Sequence, residues 1–265
     1  GSVYMFGNAW FNGTQNNYIY AYSAAEESPA VSMPVLNVSY ATWLVKYTTD
    51  GQVQWATFMQ SDHDTSRPFV VADSANNVYV QLHKTYGNTY IYNAGDTGDY
   101  ASNLYSVNQA DVFIVKYDSD GQFQWYSMLS SGESDNVASI TCDAQNNLYV
   151  GVSRYDSINL DIYTNSAMNA PNFTLGGGDA GRWYYSIIKY SGQTGNVLWA
   201  TNVRGVDNSN PFMMKTDSAS NLYVAISYAM GTLSIYNQND QNNAVFTVPV
   251  RTESLDIALI KYNST

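Results

Sequence analysis

The sequence contains one histidine between two carboxylates, in the string Asp62-His63-Asp64. Carboxylates beside an imidazole raise its pKa, and a His-Asp pair is part of a Ser-His-Asp triad. No Gly-x-Ser-x-Gly elbow accompanies the string, and the second histidine, His83, has no metal-ligand spacing to His63. We therefore interpret the string as an exposed loop and predict that the protein is not an enzyme.

Two acidic strings could supply oxygen ligands to calcium, which takes six to eight of them. Asp96 and Asp99 lie three residues apart in a glycine-containing segment and are the better candidates for a metal. The string Asp118-Ser-Asp-Gly121 lacks the later ligands of a calcium loop and is interpreted as a hairpin turn. The single cysteine, Cys142, excludes an intrachain disulfide and a cysteine zinc site. We predict no cofactor, with Ca²⁺ as the alternative.

Aromatic residues crowd two long segments between the motifs described below, and these residues are candidates for ligand binding. Tyrosine and tryptophan present flat apolar faces beside hydrogen-bonding tips, a combination that suits polar ligands and protein partners. The alternative is that the rings only pack strands against each other. The candidates are Tyr86, Tyr90, Tyr92, Tyr100, Tyr105, Tyr155, Tyr163, Trp183 and Tyr184.

A repeat that occurs four times must position these side chains. Each copy contains an apolar segment that ends in Lys-Tyr, and the four tyrosines are 70, 73 and 72 residues apart. A catalytic lysine would not recur in every copy, so we interpret the lysines as structural and expect them to pair with aspartates of a nearby turn. The lysines are Lys46, Lys116, Lys189 and Lys261, and the aspartates are Asp73, Asp143 and Asp217.

Two hairpins are predicted in each copy. After the Lys-Tyr segment comes a turn, Asp-Gly in two copies, and then an apolar segment that begins with Trp55, Trp125 or Trp199. Upstream, an apolar segment closes in the turn aspartate and is followed by Asn-x-Tyr-Val, where the aspartate can form an Asx-turn. We expect the tryptophans to pack the outer strands, with a sugar-binding platform as the alternative.

Four short strands in each copy predict an all-β fold, a β-propeller of four-stranded antiparallel blades. The copies span approximately residues 3–60, 68–130, 138–203 and 211–265 of a single domain, residues 1–265. Long insertions follow the second strand at 85–110, 155–182 and 229–256. Their first β-like segments, at 90–93, 161–164 and 234–237, are interpreted as continuations of that strand. In the first copy, residues 17–20 take the place of the second strand.

This order of an apolar strand ending in Lys-Tyr, an Asp-Gly turn, a tryptophan, and a strand closing in aspartate before Asn-Asn-x-Tyr-Val resembles the seven-bladed β-propeller (SBBP) repeat family. The resemblance covers most of the chain. It implies a repeat of surface and extracellular proteins that share no common reaction. The chain departs from the family pattern in having four copies with longer insertions.

Closure of the fold is open to three interpretations, because the last copy ends after Lys-Tyr without an outer strand of its own. Residues 3–10 could be the innermost strand of the first copy, or they could complete the last blade by pairing of the termini. Alternatively, the chain is a piece of a larger propeller or filament in which a neighbour donates the missing strand. We favour a closed four-bladed ring, since natural sheets avoid unpaired edges.

Composition restricts the partners. Only 12% of the residues are charged and the net charge is -11, so nucleic acid would be repelled. No apolar segment is long enough to span a membrane as a helix. Four Asn-x-Ser/Thr sequons are compatible with a secreted protein. We expect an extracellular, cell-surface or virion-surface location.

These observations favour a non-catalytic binding module that contacts a protein or a glycan through aromatic-rich loops on a rigid scaffold. One alternative is a structural building block that forms oligomers or filaments by strand donation through its unpaired edge. Another is a carbohydrate-active hydrolase or lyase with a carboxylate pair in a pocket.

Overall fold

A computed structural model describes residues 1–11, 17–35, 39–63, 65–84, 87–96, 98–106, 111–131, 136–155, 158–164, 170–177, 181–206, 212–228, 232–240, 242–249 and 256–264. These residues form 22 β-strands and no helix. No helix in the described part of the chain could therefore span a membrane. The all-β prediction is confirmed.

The chain divides into two compact units, which are described separately. Unit 1 contains residues 1–109 and 113–124, and unit 2 contains residues 110–112 and 125–265. The first ten strands are β1 (Ser2–Trp10), β2 (Asn17–Ala21), β3 (Val31–Val35), β4 (Tyr40–Thr48), β5 (Val53–Ser61), β6 (Thr65–Ala72), β7 (Val78–Lys84), β8 (Asn88–Ile91), β9 (Ser102–Tyr105) and β10 (Asp111–Tyr117). The other twelve are β11 (Phe123–Ser131), β12 (Asn136–Cys142), β13 (Leu148–Tyr155), β14 (Leu160–Thr164), β15 (Phe173–Leu175), β16 (Trp183–Tyr190), β17 (Val197–Val206), β18 (Phe212–Thr216), β19 (Leu222–Tyr228), β20 (Thr232–Tyr236), β21 (Ala244–Pro249) and β22 (Asp256–Tyr262).

Unit 1 contains three groups of neighbouring strands. A five-stranded antiparallel sheet has the order β1-β4-β5-β8-β9, and β2 pairs with β3 in a separate hairpin. The third group has the order β6-β7-β10. The second copy of the repeat therefore has its first three strands in the predicted order.

Unit 2 repeats this arrangement. A six-stranded antiparallel sheet has the order β12-β13-β16-β17-β20-β21. A three-stranded sheet has the order β18-β19-β22, and β14 lies between β11 and β15. No sheet closes on itself within the described ranges. The fold is that of repeated propeller-like blades, and the closed four-bladed ring and the single domain stay predictions.

The Asx-turn between the first two strands of a copy forms as predicted. The carboxylate of Asp73 accepts hydrogen bonds from the backbone N–H groups of Ala75 and Asn77, both at 2.9 Å. Asp143 and Asp217 hold the equivalent turns by the same bonds. Asn76, the third residue after Asp73, has a φ of 61°, which asparagine tolerates better than most residues.

The interpretation of the insertions is wrong. The segments at 90–93, 161–164 and 234–237 do not continue the second strand of their own copy but overlap the separate strands β8, β14 and β20. These strands pair with the outer strands β5, β11 and β17, which belong to the preceding copy in sequence. The outer strand offers a free row of backbone N–H and C=O groups, and the insertion satisfies them. Each insertion thus extends the sheet of the preceding copy of the repeat.

The assignment of residues 17–20 is also wrong. β1 pairs with β4 along nine residues and so takes the place of the second strand in the first copy. β2 pairs with β3 instead, and its Tyr-Ile-Tyr string matches Tyr90-Ile-Tyr92, which begins at the end of β8 and continues one residue past it. Residues 3–10 are therefore neither the innermost strand of the first copy nor the strand that completes the last blade, because β1 pairs with β4 as a second strand does. Donation of the missing strand by a neighbour stays a prediction. In the described residues, β22 has β19 on one side and no strand on the other.

Candidate functional site

The repeated lysines lie above tyrosine rings of the adjacent strand. Lys46, Lys116, Lys189 and Lys261 place Nζ 5.9, 5.7, 5.0 and 5.5 Å from the ring centroids of Tyr4, Tyr79, Tyr149 and Tyr223. A cation in this position is attracted by the electron-rich ring face. Because the pair recurs in every copy, it belongs to the blade and not to a single site.

The predicted pairing of a lysine with a turn aspartate forms between Lys189 and Asp143. Their Nζ and Oδ2 atoms are 3.1 Å apart, and both side chains are buried. Burial lowers the pKa of Lys189, but hydrogen bonds to Tyr149 and Asp143 together raise that pKa above its ordinary value. In unit 1, Lys46 instead donates a 2.8 Å hydrogen bond to the carbonyl of Ser119. Both partners compensate the desolvation of the ammonium group, as the structural interpretation of Lys46 and Lys189 predicts.

The three repeated tryptophans are buried, with 9%, 3% and 6% of Trp55, Trp125 and Trp199 exposed. Trp55 donates a hydrogen bond from Nε1 to the carbonyl of Ser119, and Trp125 donates one to the carbonyl of Gly192. Each acceptor lies in the Lys-Tyr turn of the next copy. These rings therefore join consecutive copies and do not present a platform to a sugar.

The histidine string lies at the end of β5. Asp62 and His63 are exposed, and the Asp62 carboxylate accepts hydrogen bonds from the backbone and side-chain amides of Asn88, at 3.2 and 3.4 Å. Asp64 lies outside the described residues. Asp62 therefore caps the start of β8, as the exposed-loop interpretation expects. His83 is on β7, in the middle of a sheet.

The candidate calcium ligands lie in the turn that follows β8. Asp96 is half-buried and donates its backbone N–H to the carbonyl of Asn93, whereas Asp99 is exposed. No group of three or more histidine, cysteine or acidic side chains is close enough to hold a metal in the parts of the chain that the structure describes. Two carboxylates fall short of the ligand number that calcium takes. The Asp118 carboxylate closes its hairpin turn by accepting the N–H groups of Asp120 and Gln122.

In unit 1, the aromatic candidates separate into exposed and buried residues. The rings of Tyr90 and Tyr100 lie 5.1 Å apart at 52°, and Tyr100 is 52% exposed. Tyr105 is also exposed, at the end of β9. Tyr92 is buried and stacks on Phe58 with ring centroids 4.4 Å apart, so it is part of the hydrophobic core. Tyr86 lies outside the described residues.

Unit 2 contains a second exposed aromatic pair. Tyr155 and Trp183 are direct partners across β13 and β16, and their rings are 5.1 Å apart. Tyr155 is 42% exposed, while Trp183 is half-buried. Tyr184 is buried beneath the guanidinium group of Arg154, 4.9 Å away. Tyr163 is half-buried on β14, where burial raises its pKa.

A third set of exposed tyrosines was not among the predicted site residues. Tyr18, Tyr20 and Tyr22 are 44%, 51% and 45% exposed, and the first two rings stack at 5.9 Å. The opposite face of the hairpin, which includes Ala21 and Met33, joins a hydrophobic cluster with the sheet of unit 1. The alternation of tyrosine with small or aliphatic residues in the sequence indicates this outward face, which belongs to the β2–β3 hairpin and not to a blade strand.

Two buried cations were also missed. The ammonium group of Lys84 donates to Ser61 Oγ at 2.6 Å, to Thr89 Oγ1 at 2.7 Å and to the carbonyl of Asn88. Burial lowers the pKa of Lys84 to about 8. A lysine of lowered pKa beside a serine hydroxyl could act as a general base, but both side chains are fully buried and no substrate could reach them. In the third copy, Arg154 on β13 takes the position that Lys84 has on β7, and it donates a hydrogen bond to Ser186 Oγ.

A shallow polar depression of about 510 Å³ lies at the β20–β21 turn, lined by Gln238, Asn239, Asp240, Asn242 and Asn243. Backbone hydrogen bonds from Asn242 and Asn243 lower the pKa of Asp240. The carboxylate is thus used in closing its own turn, and the depression has no apolar floor that would hold a small ligand.

No model of a known protein family matches the chain. The chain is 25% identical over 209 residues, 72% of its length, to an uncharacterized WD repeat-containing protein of Acanthamoeba polyphaga mimivirus. The chain spans 14% of that protein's length. This similarity and the repeated antiparallel sheets indicate a β-propeller type of repeat.

Proposed function

We propose that the chain is a non-catalytic β-propeller module that binds a protein partner through the exposed aromatic pairs of its insertions. The observation that carries this proposal is the pair formed by Tyr155 and Trp183, in which a half-buried indole supports an exposed phenol ring. Tyr90 and Tyr100 form a similar pair in unit 1.

The supported ring is suited to recognition for a thermodynamic reason. A tyrosine that is already held by a neighbour loses little conformational freedom on binding, so more of its contact free energy contributes to affinity. Its hydroxyl group can still donate to and accept from a polar partner. The repeat scaffold keeps such rings at fixed positions, whereas a free loop would have to be ordered by the ligand.

The repeat type, the location and the ring architecture are proposed from the sequence. We place the chain among the SBBP-type repeats and at an extracellular, cell or virion surface, with a four-bladed ring as its architecture. The four Asn-x-Ser/Thr sequons are compatible with a secreted or surface location. A protein is the preferred partner, and a glycan is the alternative that the experiment below separates.

The test compares wild type with Tyr155→Ser and with Tyr100→Ser, using Leu198→Ser as a matched exposed control, since Leu198 is 48% exposed on β17. Proteins retained from a solubilised cell-surface preparation by wild type are purified and titrated against each variant. Loss of a central aromatic contact of about 2 kcal/mol corresponds to roughly thirtyfold weaker binding. The control should bind within twofold of wild type.

Two results would overturn the proposal. The first is a partner that binds the tyrosine variants as tightly as wild type. The second is binding on a glycan array that both tyrosine substitutions abolish, because it would assign these rings to sugar recognition. Thermal melting of every variant shows whether the substituted proteins are folded.

A further inference from the structure

One face of the insertion strands in unit 1 presents tyrosine and asparagine side chains to solvent. Tyr90 and Asn103 are direct partners across β8 and β9, as are Asn88 and Tyr105, so all four point to the same side of the sheet. Tyr105 is 57% exposed, and the side-chain amide of Asn103 donates to Asn88 Oδ1 at 3.1 Å. Tyr100 extends the face, because its exposed ring packs on Tyr90. We call Asn88, Tyr90, Tyr100, Asn103 and Tyr105 the insertion face.

The fold does not require aromatic residues at these positions. In the third copy, the cross-strand pair that corresponds to Tyr90 and Asn103 is Asp161 and Thr174, counted from the pairing of each insertion strand with its outer strand. Thr174 is exposed and Asp161 is half-buried, so this position faces outward in both units. A residue type that recurs in every copy maintains the blade, whereas rings that occur in one insertion are suited to recognition.

A carboxylate lies at one end of the insertion face. Asp62 is exposed, and its two hydrogen bonds from Asn88 both go to Oδ2, so Oδ1 is not used in capping β8. The insertion, residues 85–110, adds Asp96 and Asp99 and contains no lysine or arginine. Lys84, which precedes it, is fully buried on the Thr89 side of β8. The solvent-facing charges of the insertion itself are therefore negative.

Tyrosine rings beside a carboxylate favour a cationic side chain. The ring face attracts a cation, and a planar guanidinium group can stack on the ring while it donates two parallel hydrogen bonds to a carboxylate. The protein itself uses the first of these contacts, because the guanidinium carbons of Arg154 and Arg204 lie 4.9 Å from the ring centroids of Tyr184 and Tyr236. The net charge of -11 adds long-range attraction for a basic partner.

We infer that the insertion face binds an arginine-bearing, basic segment of the protein partner. This inference rests on the proposed function and names the chemistry that the unit 1 site recognises. The guanidinium group lies over the ring of Tyr105 and donates to the carboxylate of Asp62. Both side chains flank Asn88, since Asp62 accepts its amide and Tyr105 is opposite it on β9. Direct cross-strand partners have Cβ atoms about 5 Å apart, so one arginine side chain can contact both groups.

The experiment measures binding of a fluorescein-labelled peptide, in which Gly-Ser-Arg occurs three times, to the full chain by fluorescence anisotropy. A second peptide carries citrulline in place of arginine, which keeps the shape of the side chain and removes its charge. The citrulline peptide should bind at least about tenfold more weakly, because charge-assisted hydrogen bonds and the cation–ring attraction are both lost.

Three variants locate the contact. Asp62→Asn keeps an oxygen that can accept from Asn88, and it should weaken binding of the arginine peptide by about fivefold or more. Tyr105→Ser should weaken it by a similar factor, whereas Tyr105→Phe, which keeps the ring, should bind within about twofold of wild type. Asp120→Asn is the matched control, because it removes the same charge from an exposed turn of unit 1, and it should bind as wild type does. Thermal melting shows that each variant is folded.

Equal binding of the arginine and citrulline peptides would overturn the inference, and so would equal losses in Asp62→Asn and Asp120→Asn, because binding would then reflect total charge alone. Binding of cellohexaose that Tyr105→Ser abolishes would also overturn it, since the ring would then recognise a neutral sugar. A captured partner that binds Asp62→Asn as tightly as wild type but loses affinity for Tyr100→Ser would reject the arginine contact and leave the proposed function standing.

Discussion

The indole Nε1 of Trp55 lies 2.9 Å from the backbone carbonyl oxygen of Ser119, in the turn of the next copy of the repeat. The ammonium group of Lys46 donates to the same oxygen at 2.8 Å. In unit 2, Trp125 makes the corresponding bond to Gly192 at 3.2 Å. Trp55 and Trp125, each the third residue of its outer strand, thus link consecutive copies of the repeat.

Trp55→Phe should lower the free energy of unfolding by about 1 to 2 kcal/mol, because it removes the hydrogen bond to Ser119 and leaves a small cavity. Trp10→Phe is the matched control, since Trp10 is 68% exposed and should change stability by less than about 0.5 kcal/mol. Urea denaturation followed by circular dichroism measures both. Equal losses in the two variants would contradict the linking role of Trp55.

Gly195→Ala should destabilise the protein more than Gly95→Ala does. Both glycines have positive φ angles, 74° and 87°, so alanine at either position costs about 1 kcal/mol of backbone strain. A Cβ atom at Gly195 would also lie 2.7 Å from the ring of Trp125, whereas one at Gly95 has nothing within 4 Å. Overpacking adds about 1 to 3 kcal/mol at Gly195 alone. Thermal unfolding of the two variants shows whether this difference exists.

Lys84 should make stability depend on pH. The folded state lowers the pKa of Lys84 to about 8, so between pH 8 and about 10.4 the unfolded state binds more protons than the folded state. The free energy of unfolding therefore rises with pH in this window, by about 2 kcal/mol from pH 7.5 to 9.5 relative to Lys84→Met. The measurement is urea denaturation at several pH values. Lys215→Met removes an exposed lysine and is the control: its free energy of unfolding should change with pH as that of wild type does. The argument is refuted if the free energy of unfolding of Lys84→Met also follows the wild-type pH dependence.

Asp143→Asn should cost more stability than Asp217→Asn. In both variants, the asparagine side chain can still accept hydrogen bonds from the backbone N–H groups of the turn. The two positions differ because Asp143 forms an ion pair with the buried Lys189. Leaving that ammonium group without its partner costs about 3 kcal/mol or more. The lysine of the last copy, Lys261, is exposed and is solvated without Asp217. Differential scanning calorimetry of both variants provides the comparison, and a larger loss at Asp217 would contradict it.

The candidate site was partly predictable from the sequence. Aromatic clusters in the insertions are visible as composition, and the structure does expose Tyr100, Tyr105 and Tyr155. The sequence could not distinguish these from Tyr92 and Tyr184, which are buried. Which ring faces solvent depends on the strand beside it: Tyr92 stacks on Phe58 because its insertion pairs with β5.

The sequence by itself determined the four copies, their antiparallel strands, the Asx-turns at Asp73, Asp143 and Asp217, and the recurrence of lysine and tryptophan, because each depends on local spacing and turn chemistry. Only the tertiary structure decided which strands are neighbours, since an insertion can pair with its own copy or with the preceding one at the same local cost. Ile187 and Leu259 show the limit most clearly. They occupy the same position in the repeat, but one is fully buried and the other is 72% exposed. Burial depends on what packs against the sheet, and the residues that cover Ile187, such as Leu222 and Val224, come from the next copy of the repeat.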